Sequence, residues 1–149
     1  MKRHIWIEII SYAFILLFVY TTIAKLITYD TSLNDLKRSP FVSDFALPLS
    51  ILLPISEIAI SVLIFIPKYR KYGLIGATVL MGLFTGYVGA MVFTQETLPC
   101  SCGGLIKYLT WKQHFFFNIF FTLLGVVGII LQRKLPDQPM DNLKYDQPT

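Results

Sequence analysis

IWIEIISYAFILLFVYTTIAKLI, residues 5–27, carries only Glu8 and Lys25 as charged side chains. An α-helix needs roughly 20 apolar residues to cross a hydrocarbon layer of about 30 Å, and this run supplies them. Three further runs of similar length follow at 46–66, 72–93 and 114–131, the last and shortest leaning on Phe115, Phe116 and Phe117. Short polar segments separate them. With 54% of its 149 residues apolar and a strongly positive mean hydropathy, the chain belongs in a lipid bilayer rather than among soluble domains. The fold class expected is all-α, a polytopic membrane protein built as a bundle of four transmembrane helices.

The formal net charge of +4 is scattered between the apolar runs, so it builds no nucleic-acid-binding face and reads instead as a topology signal. Lys2 and Arg3, then Lys68, Arg70 and Lys71, then Arg133 and Lys134 would share one side of the membrane, against Lys37, Arg38, Lys107 and Lys112 on the other. The richer side is cytoplasmic by the positive-inside rule, which puts both termini inside and segments 28–45 and 94–113 outside. Lys2 and Arg3 also resemble the start of a signal peptide, but the following run is too long and lacks a small-residue cleavage site, so a retained helix is expected. From Leu135 onward, Pro136, Pro139 and Pro148 lie among polar residues without a packing pattern. Residues 135–149 are therefore expected to be a disordered cytoplasmic tail on a single membrane domain, 1–134.

Segment 28–45 mixes Leu33, Leu36 and Phe41 with Asp30, Asp35, Lys37 and Arg38, which fits either a short amphipathic turn on the membrane surface or, more simply, a connecting loop. The third apolar run holds Gly73, Gly76, Gly82, Gly86 and Gly89, and the fourth holds Gly125 and Gly128. Small residues let membrane helices approach closely, and these are read as packing within the bundle, with a dedicated dimer interface as the lesser alternative and Gly82 and Gly86 on one face. Tyr20, Tyr29, Tyr87, Tyr108, Trp6 and Trp111 are read as the aromatic belt at the two interfaces.

Chemistry is offered by Cys100 and Cys102, the two cysteines of the chain, separated by Ser101 and followed by Gly103 and Gly104. A disulfide needs Cα atoms about 4.4–6.8 Å apart, while two residues of extended chain approach about 7 Å, so a bridge here demands a bent backbone. Pro99 and the two glycines permit one. Closing so small a ring contributes roughly 1.6 kcal/mol before strain is subtracted, which makes a poor staple. A strained, exposed disulfide is labile and oxidising, as exchange chemistry requires. Lys107, Lys112 and His114 would lower a thiol pKa and Glu96 would oppose them. The other readings are a local clip or two inert thiols, and a metal held by both sulfurs with His114. A structural metal site usually takes four ligands, so no metal is assigned. A periplasmic loop would suit the pair, because thiols there are normally oxidised.

Lys25 and Glu57 are charges inside apolar runs, each costing about 2.5–3.5 kcal/mol at a helix centre on insertion scales. Lys25 lies near the outer end of the first helix, whereas Glu57 lies about 16 Å from the start of the second, so their depths match poorly. Either they pair and hold these helices together, or Lys25 snorkels outward alone. A proton-relay role for Glu57 is a third option.

Phe18 to Leu26, ending Ala24-Lys25-Leu26, then Leu53-Pro54-Ile55-Ser56-Glu57, then Leu98-Pro99-Cys100-Ser101-Cys102-Gly103-Gly104, together resemble the MauE proteins within the DoxX-like membrane proteins, over almost the whole chain except the tail. In that family glycine often separates the cysteines and an aromatic often follows, where this chain has Ser101 and Gly103. The resemblance implies a four-helix bundle in the bacterial cytoplasmic membrane that supports disulfide formation or reduction in exported proteins, often with a thioredoxin-like partner. MauE is itself associated with maturation of methylamine dehydrogenase, although the family name attaches to many members without methylamine metabolism.

The resulting expectation is thiol-disulfide exchange at Cys100 and Cys102, supported by Lys25, Glu57 and His114, acting on a thioredoxin-like or cysteine-containing exported protein. Four-helix membrane oxidoreductases such as DsbB usually relay electrons through a second cysteine pair. This chain has none, so electrons would come from the partner or leave to a quinone. The competing class is a non-enzymatic scaffold or assembly subunit with a structural loop disulfide, and a transporter subunit ranks third, hinted at only by Glu57 beside Pro54.

Overall fold

The computed structural model describes residues 2–94 and 110–134. In chain order these form α1 (Lys2–Ile27), α2 (Tyr29–Arg38), a 3-10 turn (Ser43–Phe45), α3 (Ala46–Phe65), α4 (Arg70–Thr94) and α5 (Trp111–Arg133). Helices α1, α3, α4 and α5 are each long and apolar enough to cross a membrane. They close a ring in which α1 packs against α3 and α5, and α4 against the same two. Successive spanning helices run antiparallel, as the pairings Thr22–Glu57 with Tyr29–Ser50 and Gly89–Phe115 with Gly125–Thr78 show, giving an up-down-up-down bundle. The cysteine pair and the expected tail both fall outside the described residues.

The buried stripe of α1 is Ile7, Ile10, Phe14, Phe18 and Thr22, at the three- and four-residue spacing of one helical face. Phe14 packs edge-on against Phe121 of α5 and obliquely against Phe18, and Ile64, Leu74, Ala77 and Met81 complete the core. Residues as apolar as Leu16, Ile27, Phe65 and Phe93 face outward. That is the arrangement a lipid solvent allows, because hydrocarbon gives large side chains no reason to turn inward. In α3 the inner stripe is Ala46, Ser50, Pro54, Glu57, Ser61 and Ile64, so apart from Ile64 and Pro54 the residues facing the bundle are small or polar, while Leu47, Ile51, Leu52, Ile55 and Ile58 face away.

Two expectations change. Segment 28–45 is not simply a connecting loop, since Tyr29–Arg38 is helical. No proline interrupts the chain before Pro40, and Thr28 N–H bonds Ala24 O at 3.0 Å while Ser32 N–H bonds Thr28 O at 2.9 Å, which carries helical pairing across the junction with α1. Tyr29, Ser32 and Leu36 share the face turned towards the bundle. Among the glycines, a Cβ on Gly73 would lie 2.6 Å from the backbone nitrogen of Ile64, and one on Gly125 would run into Thr78 and Phe14. These positions pack within the bundle as expected. Gly82 and Gly86 do not, because an added Cβ at either meets nothing within 4 Å. Among the described residues, no other helix packs against the face they share.

Candidate functional site

The contacts between α1 and its continuation and α3 set a register. Tyr29 Oη lies 3.4 Å from Ser50 Oγ, and seven residues along in each antiparallel direction Thr22 Oγ1 donates to Glu57 Oε2 at 2.8 Å. Lys25 is therefore level with Pro54 and sits only about one helical turn above Glu57. The first two turns of α3 extend past the end of α1 and run alongside α2, which is why depths measured from the helix starts appeared mismatched. Side chains lean towards the N-terminus of their own helix. In antiparallel α1 and α3, Lys25 and Glu57 consequently lean towards each other.

The outcome is an ion pair with Lys25 Nζ 2.5 Å from Glu57 Oε1. Thr22, and more distantly Thr21 at 3.3 Å, donate to the second carboxylate oxygen. Glu57 is 1% exposed, and a carboxylate so deeply buried needs these partners to offset its lost hydration. The ammonium also lies 5.2 Å from the centre of the Phe84 ring on α4, within reach of a cation–π attraction. The pair thus joins α1, α3 and α4.

His114 reaches the same place from α5. Thr110 and Gln113 form a reciprocal capping box, with Thr110 N–H donating to Gln113 Oε1 at 3.0 Å and Gln113 N–H to Thr110 Oγ1 at 3.4 Å. This starts α5 sharply and fixes His114 in its first turn. Asn118, one turn on, brings its Nδ2 to 3.4 Å from His114 Nε2. The other ring nitrogen, Nδ1, is a buried atom with no partner among the described residues. A cavity of about 50 Å³ is lined by Thr21, Lys25, Glu57, His114 and Asn118 together with Phe84 and Phe117. It has room for a water molecule.

The structure therefore brings together Lys25, Glu57 and His114, and adds Thr21, Thr22, Asn118 and Phe84, which sequence reading did not single out. Cys100 and Cys102 lie outside the described residues. Tyr29 and Tyr87 differ from the expected belt: Tyr87 donates to the buried Ser39 Oγ at 2.8 Å, and both line a second cavity of about 240 Å³ under α2. Trp6 and Tyr20 are outward-facing as a belt requires. No cluster of three or more metal-ligating side chains occurs among the described residues.

The gathered residues come from the C-terminal part of α1, the middle of α3, the C-terminal half of α4 and the first two turns of α5. They lie inside the bundle, in the half nearer the end at which α4 finishes and α5 begins. No curated protein and no solved structure matches the chain. A family model described as "Methylamine utilisation protein MauE" matches residues 3–131, which is nearly the whole sequence, and this multi-pass membrane protein accordingly belongs to the MauE family.

Proposed function

We propose that this chain supports thiol-disulfide exchange in exported proteins through Cys100 and Cys102, acting with a thioredoxin-like partner at the outer face of the bacterial cytoplasmic membrane. The observation that supports the reading is the convergence of Lys25, Glu57 and His114 in the half of the bundle nearer the end where α4 finishes and α5 begins. Chain connectivity makes segment 95–109, with both cysteines, the link between those two helix ends. A buried charge pair is an expensive feature in a membrane and usually marks a working site. In the exchange, one thiolate attacks a partner disulfide and forms a mixed disulfide while expelling a partner thiolate. The second cysteine then displaces the partner and closes the S–S bond, so the partner leaves reduced and this chain oxidised; the reverse sequence runs through the same intermediate. His114 and the Lys25–Glu57 pair are the supporting groups in this reading.

Trapping tests the reading. In Cys100→Ser or Cys102→Ser the surviving thiol still forms the mixed disulfide but lacks its resolving neighbour. One of the two variants is expected to accumulate a reducible higher-mass adduct on a non-reducing gel of acid-quenched cells, and the double variant none. Absence of an adduct in both single variants, together with full activity of the double variant in complementation, would point to the scaffold.

The orientation is tested separately. With both termini cytoplasmic, a thiol reagent unable to cross membranes is expected to label the reduced cysteines in intact cells. Labelling that appears only after lysis, with reduction verified, would reverse the topology.

A further inference from the structure

We propose that the larger cavity, roofed by α2 and walled by α1, α3 and α4, is a binding site for the ring of a membrane-soluble quinone. Its walls are carbon-rich, from Leu36, Leu49, Leu53, Leu80, Leu83 and Phe84, with Lys25, Tyr29, Ser50 and Tyr87 also in the lining. Leu83 lines the cavity and is also 68% exposed on the outside of the bundle, so the cavity opens sideways where lipid lies. An occupant arrives through the hydrocarbon and is itself lipid-soluble.

Size and charge narrow its class. About 240 Å³ is below the roughly 300–1,000 Å³ of sites that enclose a whole drug-sized ligand, and it suits one ring with its tail left in lipid rather than a two-chain phospholipid. The one cationic side chain among the described residues of the lining is already neutralised, because Lys25 is paired with Glu57. A fatty-acid carboxylate or a phosphate would have to compete with that carboxylate. A neutral ring meets no such competition. The Phe84 ring, already against Lys25 Nζ, offers a flat face for an aromatic neighbour.

The assignment rests on the proposed thiol chemistry for its purpose. When Cys100 and Cys102 form an S–S bond they release two electrons and two protons. A quinone takes up both and becomes the quinol, which closes the balance without a second cysteine pair.

The test uses the full chain in lipid nanodiscs with decylubiquinone as probe, read by quenching of intrinsic fluorescence and, independently, by thermal shift. Saturable binding is expected, undisturbed by excess decanoate, unchanged in the Cys100→Ser/Cys102→Ser variant, and weakened by about tenfold or more in Leu83→Trp, which narrows the opening without touching the ion pair. If Leu83→Trp melts early, Leu80→Phe serves as the filling variant. Non-saturable quenching, equal competition by decanoate, or undiminished binding in a folded filling variant would each overturn the assignment. Because binding is read in the chain without cysteines, its failure leaves the adduct result standing, and absence of the adduct leaves the cavity's occupant standing.

Discussion

Glu57→Ala is expected to be the most disruptive single side-chain truncation in the bundle, costing about 3–5 kcal/mol as removal of one partner from a buried ion pair does. The loss goes beyond one attraction. Lys25 would remain beside Phe84 with no carboxylate, and the Thr22 hydroxyl, buried at the α1–α3 contact, would lose its acceptor. Glu57→Gln is expected to cost clearly less. The amide keeps the volume, its carbonyl accepts from Lys25, and its NH₂ can donate to the threonine oxygens. Reversible unfolding in detergent measures both, and equal destabilisation would refute the partner-based account. The Lys25→Met/Glu57→Leu variant then separates structure from function. Replacing a buried pair by apolar groups of similar size is often neutral or stabilising, so this variant is expected to regain stability. If it also regains activity, the pair only holds the helices together. Loss of activity in a stable bundle would place it in the chemistry.

The four spans were legible in the sequence because a bilayer sets the length and polarity of each helix directly. Depth and facing were less so. Lys25 and Glu57 stood out as charges in apolar runs, but their pairing depends on α3 starting about two turns beyond the end of α1, and run lengths alone do not reveal that offset. A signal for it existed. Ala46, Ser50, Pro54, Glu57 and Ser61 recur at three- and four-residue spacing, and in lipid such a stripe of small and polar side chains marks the inner face. The same reading, applied to Thr21, Thr22 and Asn118, would have collected the partners of the buried charges. The glycines carried the opposite lesson. Gly82 and Gly86 have the spacing of a packing motif, yet among the described residues no other helix packs against that face. Spacing identifies a shared face without saying what that face meets.

Gly73 and Gly82 make that distinction measurable. At Gly73 the first turn of α4 passes so close to the last turn of α3 that a Cβ would sit 2.6 Å from Ile64 N and 2.9 Å from Leu63 C. Both are backbone atoms, and the backbone there is held by Ile66 N–H bonding Val62 O at 3.1 Å and by Gly73 N–H bonding Tyr69 O at 3.0 Å. Neither helix can yield locally, so Gly73→Ala must push α3 and α4 apart. Overpacking of this kind typically costs about 1–3 kcal/mol, more than the roughly 1 kcal/mol by which alanine favours a helix over glycine. Gly73→Val, larger still, is expected to abolish accumulation of folded protein. Gly82→Ala meets nothing and should keep the same stability or gain slightly from helix propensity. Comparable melting of the Gly73→Ala and wild-type proteins would mean that the α3–α4 turn is looser than its geometry requires. Separation at this turn would also be felt two helical turns along α3, where Glu57 must stay within reach of Lys25, so Gly73→Ala should weaken the ion pair without altering either charged residue.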